Sequence, residues 1–554
     1  MTQAWHRVRE PVVVLAITVF TAWLSTSQRW AGLDTPDSSF YASLGLFGSE
    51  VTDRAPIDSY YWTRLGYIAP VRALTSLAGA FPGFELYRTL LILLLVTGMY
   101  VALRRFTGIP SAAFLTTITS LTTVVLSYLG NTYLTGSVLA GTTAVVAAAL
   151  FPSKRAAAVA GVLLGWLVMV NPPGGLLAGT IWLVLRLHQR TRFVPLLVAV
   201  GAAIVTFVAF LGVGRLMFPG LDWFGAYINS EARQRLSAFA SEDLVWLQDI
   251  SLIVPVLVLI VVIVAWATHR SEPAAQRALV ISASSIAFML VFSPMMGGIA
   301  LEAPMYQAML WPPAMIALAL ITTLAMPGTG WTWMQAVAAV LAVLVVIATG
   351  HLAPGLPLWA GWLIGLAAVA VFLLASYKGT IGAIASLALL LSAGQLLQNS
   401  RGDLGLYYLS PYAWAFEANP ISDRIHTAVE VEEWLLAQTS RSDSILSWVD
   451  GDWVNGDREL YVVAGMQLWG ENRVTLEPTL TADDITRMNT IRPSTLALYG
   501  QSMDSVLAFW QSIPQQNQPS APECYDFAWA PNPASDFQVT DGHACLVRLT
   551  WSGS

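Results

Sequence analysis

Carboxylates, arginines and aromatic rings are concentrated in one stretch of a chain that otherwise carries few charges. The run Asp34-Thr35-Pro36-Asp37-Ser38-Ser39-Phe40-Tyr41 is followed by Asp53-Arg54 and by Tyr60-Tyr61-Trp62-Thr63-Arg64. A positioned carboxylate can take the proton of a hydroxyl nucleophile. An arginine fork can hold a phosphate and stabilise it as it leaves. Together they describe group transfer from a phosphate-activated donor to a hydroxyl. Asp37 is the preferred base. Thr35-Pro36-Asp37 reads as a helix start with proline at the first helical position, which sets Tyr41 four residues on over the same face. Asp34 is the alternative base, and either aspartate also suits a plain capping role.

The neighbouring residues divide between chemistry and packing. Asp53 and Arg54 could bind acceptor hydroxyls, or form an ordinary surface ion pair. Tyr41, Tyr61 and Trp62 offer rings to a sugar, although Tyr60-Tyr61-Trp62 equally suits a membrane-interface belt. Arg64 and Arg72 flank or enter a semi-apolar stretch, where arginine is costly and tends to mark a site; snorkelling to headgroups is the alternative. Arg64 is the preferred phosphate contact. Further on, Asp222, Trp223, Tyr227, Glu231, Arg233 and Arg235 form a second mixed patch. Arg233 and Arg235 could complete the phosphate site or sit on a solvated helix face. Glu302 and Tyr306 are additional acceptor-side candidates.

The elements that must position these groups are membrane helices. The chain has 554 residues, 56% hydrophobic and 11% charged, against about 25% charged in soluble domains. Its apolar runs are repeatedly of a length, roughly 17–25 residues, that crosses a bilayer. Lys154, Lys378 and most clustered arginines, such as Arg104-Arg105, fall between runs on what the positive-inside rule makes the cytoplasmic side. That rule places the N-terminus inside and predicts about 13 spans. Loop 28–83, with a semi-apolar interfacial or re-entrant segment at 65–80, and loop 217–249 then lie outside. Among the expected spans are 11–27, 85–103, 110–129, 132–151 and 193–216, with 332–350, 358–377 and 381–398 the last three. The first span lacks a cleavage signature and reads as a retained helix.

The net charge of −6 conceals a split. Residues 401–554 hold 20 acids against 8 arginines and no lysine, while the first 400 residues hold 14 acids and 20 bases. A mildly basic membrane body, residues 1–398, thus carries an acidic tail, 399–554. An odd span count puts that tail outside. Its periodicities predict helices over 423–438, 481–488 and 502–513 and strands over 444–449, 495–499, 524–528 and 544–549, a small α/β domain. Both cysteines, Cys524 and Cys545, lie in it. An oxidising compartment favours a disulfide between them, and two free thiols are the alternative.

An enzyme acting outside the cytoplasm has neither ATP nor sugar nucleotides and must use a donor already in the membrane. The first-loop pattern Asp34-x-x-Asp37-x-x-x-Tyr41, the many spans and the soluble C-terminal domain resemble the GT-C superfamily. That group includes protein O-mannosyltransferases, aminoarabinose transferases and actinobacterial arabinosyl- and mannosyltransferases. The resemblance implies a polytopic glycosyltransferase, hexosyl or pentosyl, with an acidic base in the first loop. It implies a polyprenyl-phosphate sugar as donor and a glycan, lipid or protein hydroxyl as acceptor. The sequence departs from the Asp-Glu pair of the O-mannosyl branch, since Thr35-Pro36 separates its two aspartates.

Other classes find less support. A transporter or flippase needs ionisable groups inside its spans and paired broken helices, and the spans are almost free of charge. A non-catalytic scaffold with a partner-binding tail remains the other alternative. Six scattered histidines show no metal-ligand spacing and there is no Gly-rich phosphate loop with a lysine. No cofactor is therefore expected; a divalent metal is compatible with the chemistry but nothing indicates one. The bilayer is an expected partner and nucleic acid is not.

Overall fold

In the computed structural model, the apolar runs form helices whose ends follow the charges. The structure describes residues 2–24, 41, 60–130, 134–190, 193–218, 222–228, 250–295, 308–325, separate positions within 427–439, and 445–450, 475–476, 479–514, 519–528 and 541–551. The helices of the membrane part are α1 (Thr2–Leu24), α2 (Leu65–Ala78), α3 (Ala80–Arg104), α4 (Ile109–Ser120), α5 (Thr123–Gly130) and α6 (Thr135–Ala149). They continue as α7 (Lys154–Val170), α8 (Pro172–His188), α9 (Phe193–Met217), α10 (Ile250–Thr268), α11 (Pro273–Met295) and α12 (Trp311–Ala325). Among the described residues, Pro82–Arg104, Phe193–Met217 and Pro273–Phe292 are long and apolar enough to cross a membrane. Thr135–Ala149, Pro255–Thr268 and Ala308–Leu324 are apolar but shorter. The three spans expected after residue 331 lie outside the described residues.

One expectation is corrected. The apolar run 110–129 is two helices, broken at Leu121-Thr122, rather than one continuous helix. The cause is local. Thr117, Thr119, Ser120 and Thr122 turn their hydroxyls back onto the carbonyls of Ala113, Leu115, Thr117 and Thr119. Such back-bonding competes with the helical ladder and bends or ends it. Tertiary contacts then hold the break. Trp311 donates its indole N–H to Thr122 Oγ1 at 2.9 Å, and the hydroxyls of Ser120 and Thr21 lie 3.1 Å apart.

Close packing of backbones organises the rest. On α7, Gly161 and Gly165 face α9 so tightly that a Cβ at either would strike the carbonyl oxygen of Ala199 or Ala203. This is the small-residue spacing by which helices associate in lipid, where apolar burial gives little drive. One end of the bundle gathers the C-termini of α3, α6, α8, α10 and α12. There Arg104 pairs with Glu10 of α1 at 3.2 Å, and Arg186 of α8 donates to the Ala148 carbonyl of α6 at 3.2 Å. The other end gathers the start of α2 and the C-terminal ends of α7 and α9.

The tail has its own core. Strands β1 (Ile445–Val449), β2 (Thr475–Leu476), β3 (Thr495–Gly500), β4 (Glu523–Ala528) and β5 (Asp541–Arg548) form a sheet in the order β2-β1-β3-β5-β4. The first three are parallel, and β5 is antiparallel to β3 and β4. Helices α13 (Ala482–Ile491) and α14 (Met503–Ser512) accompany them. Every residue of β1 and β3 is buried, as expected of strands covered on both faces. Trp448 stacks on Phe509 with ring centroids 4.4 Å apart. A capping box between Thr481 and Asp484 starts α13. Cys524 and Cys545 are directly opposite across β4 and β5 and are joined by a disulfide.

Candidate active site

The first loop enters the described structure as a short 3-10 turn, Tyr60–Thr63, that delivers Arg64 to the head of α2. Arg64 occupies the N-cap position with no side-chain cap bond, and its carbonyl accepts from the N–H groups of Tyr67 and Ile68 at 2.9 and 3.0 Å. Arginine is an unusual residue there, since Ser, Thr, Asp and Asn are the groups that satisfy free helix N–H donors. Its side chain is only 8% exposed.

Two indoles from distant helices fix this segment. Trp223 donates to the Thr63 carbonyl at 2.8 Å, and Trp166 of α7 donates to the Gly66 carbonyl at 2.8 Å. Gly66 is required by close approach, because a Cβ would lie 2.7–2.8 Å from backbone atoms of Trp166, Met169 and Val170. Trp223 belongs to a helical turn at 223–228 and stacks on Tyr227 at 5.3 Å. The segment that follows α9 therefore packs against the segment that precedes α2.

A line of phenols runs inward from this point. Tyr41 meets Tyr67 edge-on at 5.9 Å, and Tyr67 meets Tyr87 at 5.5 Å. The Tyr87 hydroxyl lies 2.8 Å from that of Ser137 on α6. Burial, with Tyr87 and Tyr41 adding to it, holds the Tyr67 phenol well above its ordinary range. It stays protonated at physiological pH and can serve as a hydrogen-bond donor.

The sequence candidates fare differently. Tyr41, Trp62 and Arg64 come together at the head of α2. Tyr41 and Trp62 are fully buried, and Trp62 packs edge-on against Phe218 at 4.7 Å. Both rings are covered by protein in this structure. Tyr61 lies in the 3-10 turn beside them. Asp34, Asp37, Asp53, Arg54, Arg233, Arg235, Glu302 and Tyr306 lie outside the described residues. Among the described residues, no group of three or more His, Cys, Asp or Glu side chains is placed to hold a metal ion.

Sequence reading passed over one pair. Arg88, one turn into the apolar part of α3, is 3% exposed and pairs with Glu85 at 2.8 Å. The signal was present, since an arginine inside an apolar span needs a partner. The contribution of Trp223 to the first loop had no such signal.

No family model and no curated protein matches the chain. Among solved structures, it is similar to ArnT from Cupriavidus metallidurans bound to undecaprenyl phosphate, with 15% identity, 96% of this chain and 97% of that chain covered, and a TM-score of 0.49. It is also similar to the Archaeoglobus fulgidus oligosaccharyltransferase tethered with an acceptor peptide, with 12% identity, 87% and 68% covered, and a TM-score of 0.37. The apo form of that oligosaccharyltransferase gives 11% identity, 87% and 69% covered, and a TM-score of 0.37. All three are likenesses at 15% identity or below.

Proposed function

We propose that this chain is an integral-membrane glycosyltransferase. It moves a sugar from a polyprenyl-phosphate carrier to a hydroxyl of an envelope glycan, glycolipid or protein on the outer face. The observation that supports this reading is Arg64, a buried arginine at the head of a helix. Its guanidinium offers a phosphate a planar fork of donors, and the N–H groups of the first turn of a helix add to anion binding. A phosphate suits that position. Its catalytic partner is Asp37, in the loop that precedes this helix in the sequence.

In the reaction, the acceptor hydroxyl gives its proton to the Asp37 carboxylate as its oxygen bonds to the anomeric carbon. The bond from that carbon to the phosphate oxygen breaks, and the electron pair leaves with the polyprenyl phosphate. Arg64, with Arg233 and Arg235, holds the departing charge. A single displacement inverts the anomeric centre. Asp53, Arg54, Glu302 and Tyr306 are the groups assigned to acceptor hydroxyls, and Asp34 is the second acid of the loop. No cofactor enters. The N-terminus lies in the cytoplasm and the tail outside, where an oxidising medium preserves the Cys524–Cys545 bond.

The test is transfer from a radiolabelled polyprenyl-phosphate sugar in membranes containing the protein, with undecaprenyl phosphate as the product-like inhibitor. Asp37→Asn should lower kcat by about 100- to 10,000-fold, and Arg64→Gln should weaken inhibition by the carrier phosphate. Full transfer by both Asp37→Asn and Asp34→Asn refutes the mechanism.

A further inference from the structure

The opposite end of the bundle carries a second cationic feature that the transfer reaction does not use. Arg105 follows α3, Arg186 closes α8 and Arg277 opens α11. Among the described residues, no carboxylate forms an ion pair with any of the three, although neighbouring Arg104 is paired with Glu10. They are close enough for the Arg105 charge to repel both Arg186 and Arg277. Phenyl rings hold two of them, Arg105 over Phe151 at 4.9 Å and Arg277 over Phe106 at 5.1 Å. Arg186 is fully buried and spends one N–H on the Ala148 carbonyl, while its Nε and Nη1 have no hydrogen-bond acceptor. Capping of α6 accounts for that single bond. It does not account for Arg105 standing close to both Arg186 and Arg277.

Between α3, α10, α11 and α12 lies a cavity of about 540 Å³, whose lining includes Arg105, Arg277, His269, Phe106 and Leu324. Glu272 also lines it, with its side chain exposed at the rim and paired to neither arginine. We propose that this cavity is a second anion site, at the positively charged end of the bundle, that takes a phosphate group. The shared chemistry is a phosphate held by Arg105 and Arg277, with the charge of Arg186 behind them. The apolar side chains of Phe106 and Leu324 in the same lining suit the first carbons of a lipid carrying that phosphate. A free phosphate would use the arginines alone. The inference is independent of the proposed transfer reaction, and its test needs no activity.

The full-length protein purified in detergent is titrated with phosphatidylglycerol and with phosphatidylcholine, and bound lipid is counted by native mass spectrometry alongside thermal melting. A parallel series uses inorganic phosphate against chloride at matched ionic strength. Wild type should retain phosphatidylglycerol in preference to phosphatidylcholine. Arg105→Gln, at an exposed position that folding tolerates, should weaken that retention about fivefold, and Arg105→Gln/Arg277→Gln about fivefold again. Arg155→Gln, an exposed arginine at the start of α7, should bind as wild type. Stabilisation by inorganic phosphate that is lost in Arg105→Gln supports the site with a soluble phosphate as its ligand. Equal retention of the two lipids with no phosphate effect overturns the proposal, as does an Arg105→Gln protein that responds to both series as wild type does.

Discussion

The indole of Trp223 donates a 2.8 Å hydrogen bond to the carbonyl of Thr63, 160 residues earlier in the chain. The bond is buried and joins the segments before α2 and after α9 at the residue before Arg64. A backbone carbonyl there has no water to turn to, so the indole both satisfies it and fixes the entry of the chain into α2.

Trp223→Phe keeps an aromatic ring but removes that hydrogen bond, at a cost of about 0.5–1.5 kcal/mol. The variant should melt earlier in detergent, and the segment 60–68 should lose protection from hydrogen exchange. Unchanged melting and exchange would show that the loop is held by other contacts.

Gly66→Ala places a methyl group 2.7–2.8 Å from backbone atoms of α7, which cannot rotate away as a side chain could. The expected penalty is about 1–3 kcal/mol from overpacking, seen as a lowered Tm. Gly201→Ala, where a Cβ meets nothing within 4 Å, should be neutral or slightly stabilising because alanine favours the helix. Equal behaviour of the two variants would contradict the close approach of α2 and α7.

Tyr87 and Ser137 are linked by their hydroxyls at 2.8 Å. Tyr87→Phe and Ser137→Ala should each destabilise, and the double variant should cost less than their sum by about 1 kcal/mol. Strict additivity in that cycle would show that the two groups do not interact.

The Cys524–Cys545 bond closes a loop of sequence separation 21. By loop entropy alone its removal costs about 3 kcal/mol. Cys524→Ser/Cys545→Ser should lower the melting transition assigned to the tail, and reductant should do the same to the wild type but not to the variant. A wild-type protein indifferent to reductant argues that the bond adds little.

The sequence by itself determined what depends on neighbours along the chain. Apolar runs and the cations between them located α3, α7, α8, α9 and α11 to within a few residues, because hydropathy and the helical period are local properties. The periods in 444–449, 481–488, 495–499 and 502–513 located strands and helices of the tail for the same reason. It also picked out Arg64 and the aspartates before it, since charge is conspicuous in an apolar chain. Tertiary structure decided the rest. Leu121-Thr122 interrupts an apolar run because hydroxyls turn back on the backbone and Trp311 holds the break. Trp62 and Tyr41, which the sequence offered as sugar platforms, are buried, with Phe218 and Tyr67 from other parts of the chain among the rings packed against them. Arg88 and Arg186 are buried cations whose surroundings are built by packing. Burial and partnership are sums over residues far apart in sequence, and only the folded chain fixes which residues those are.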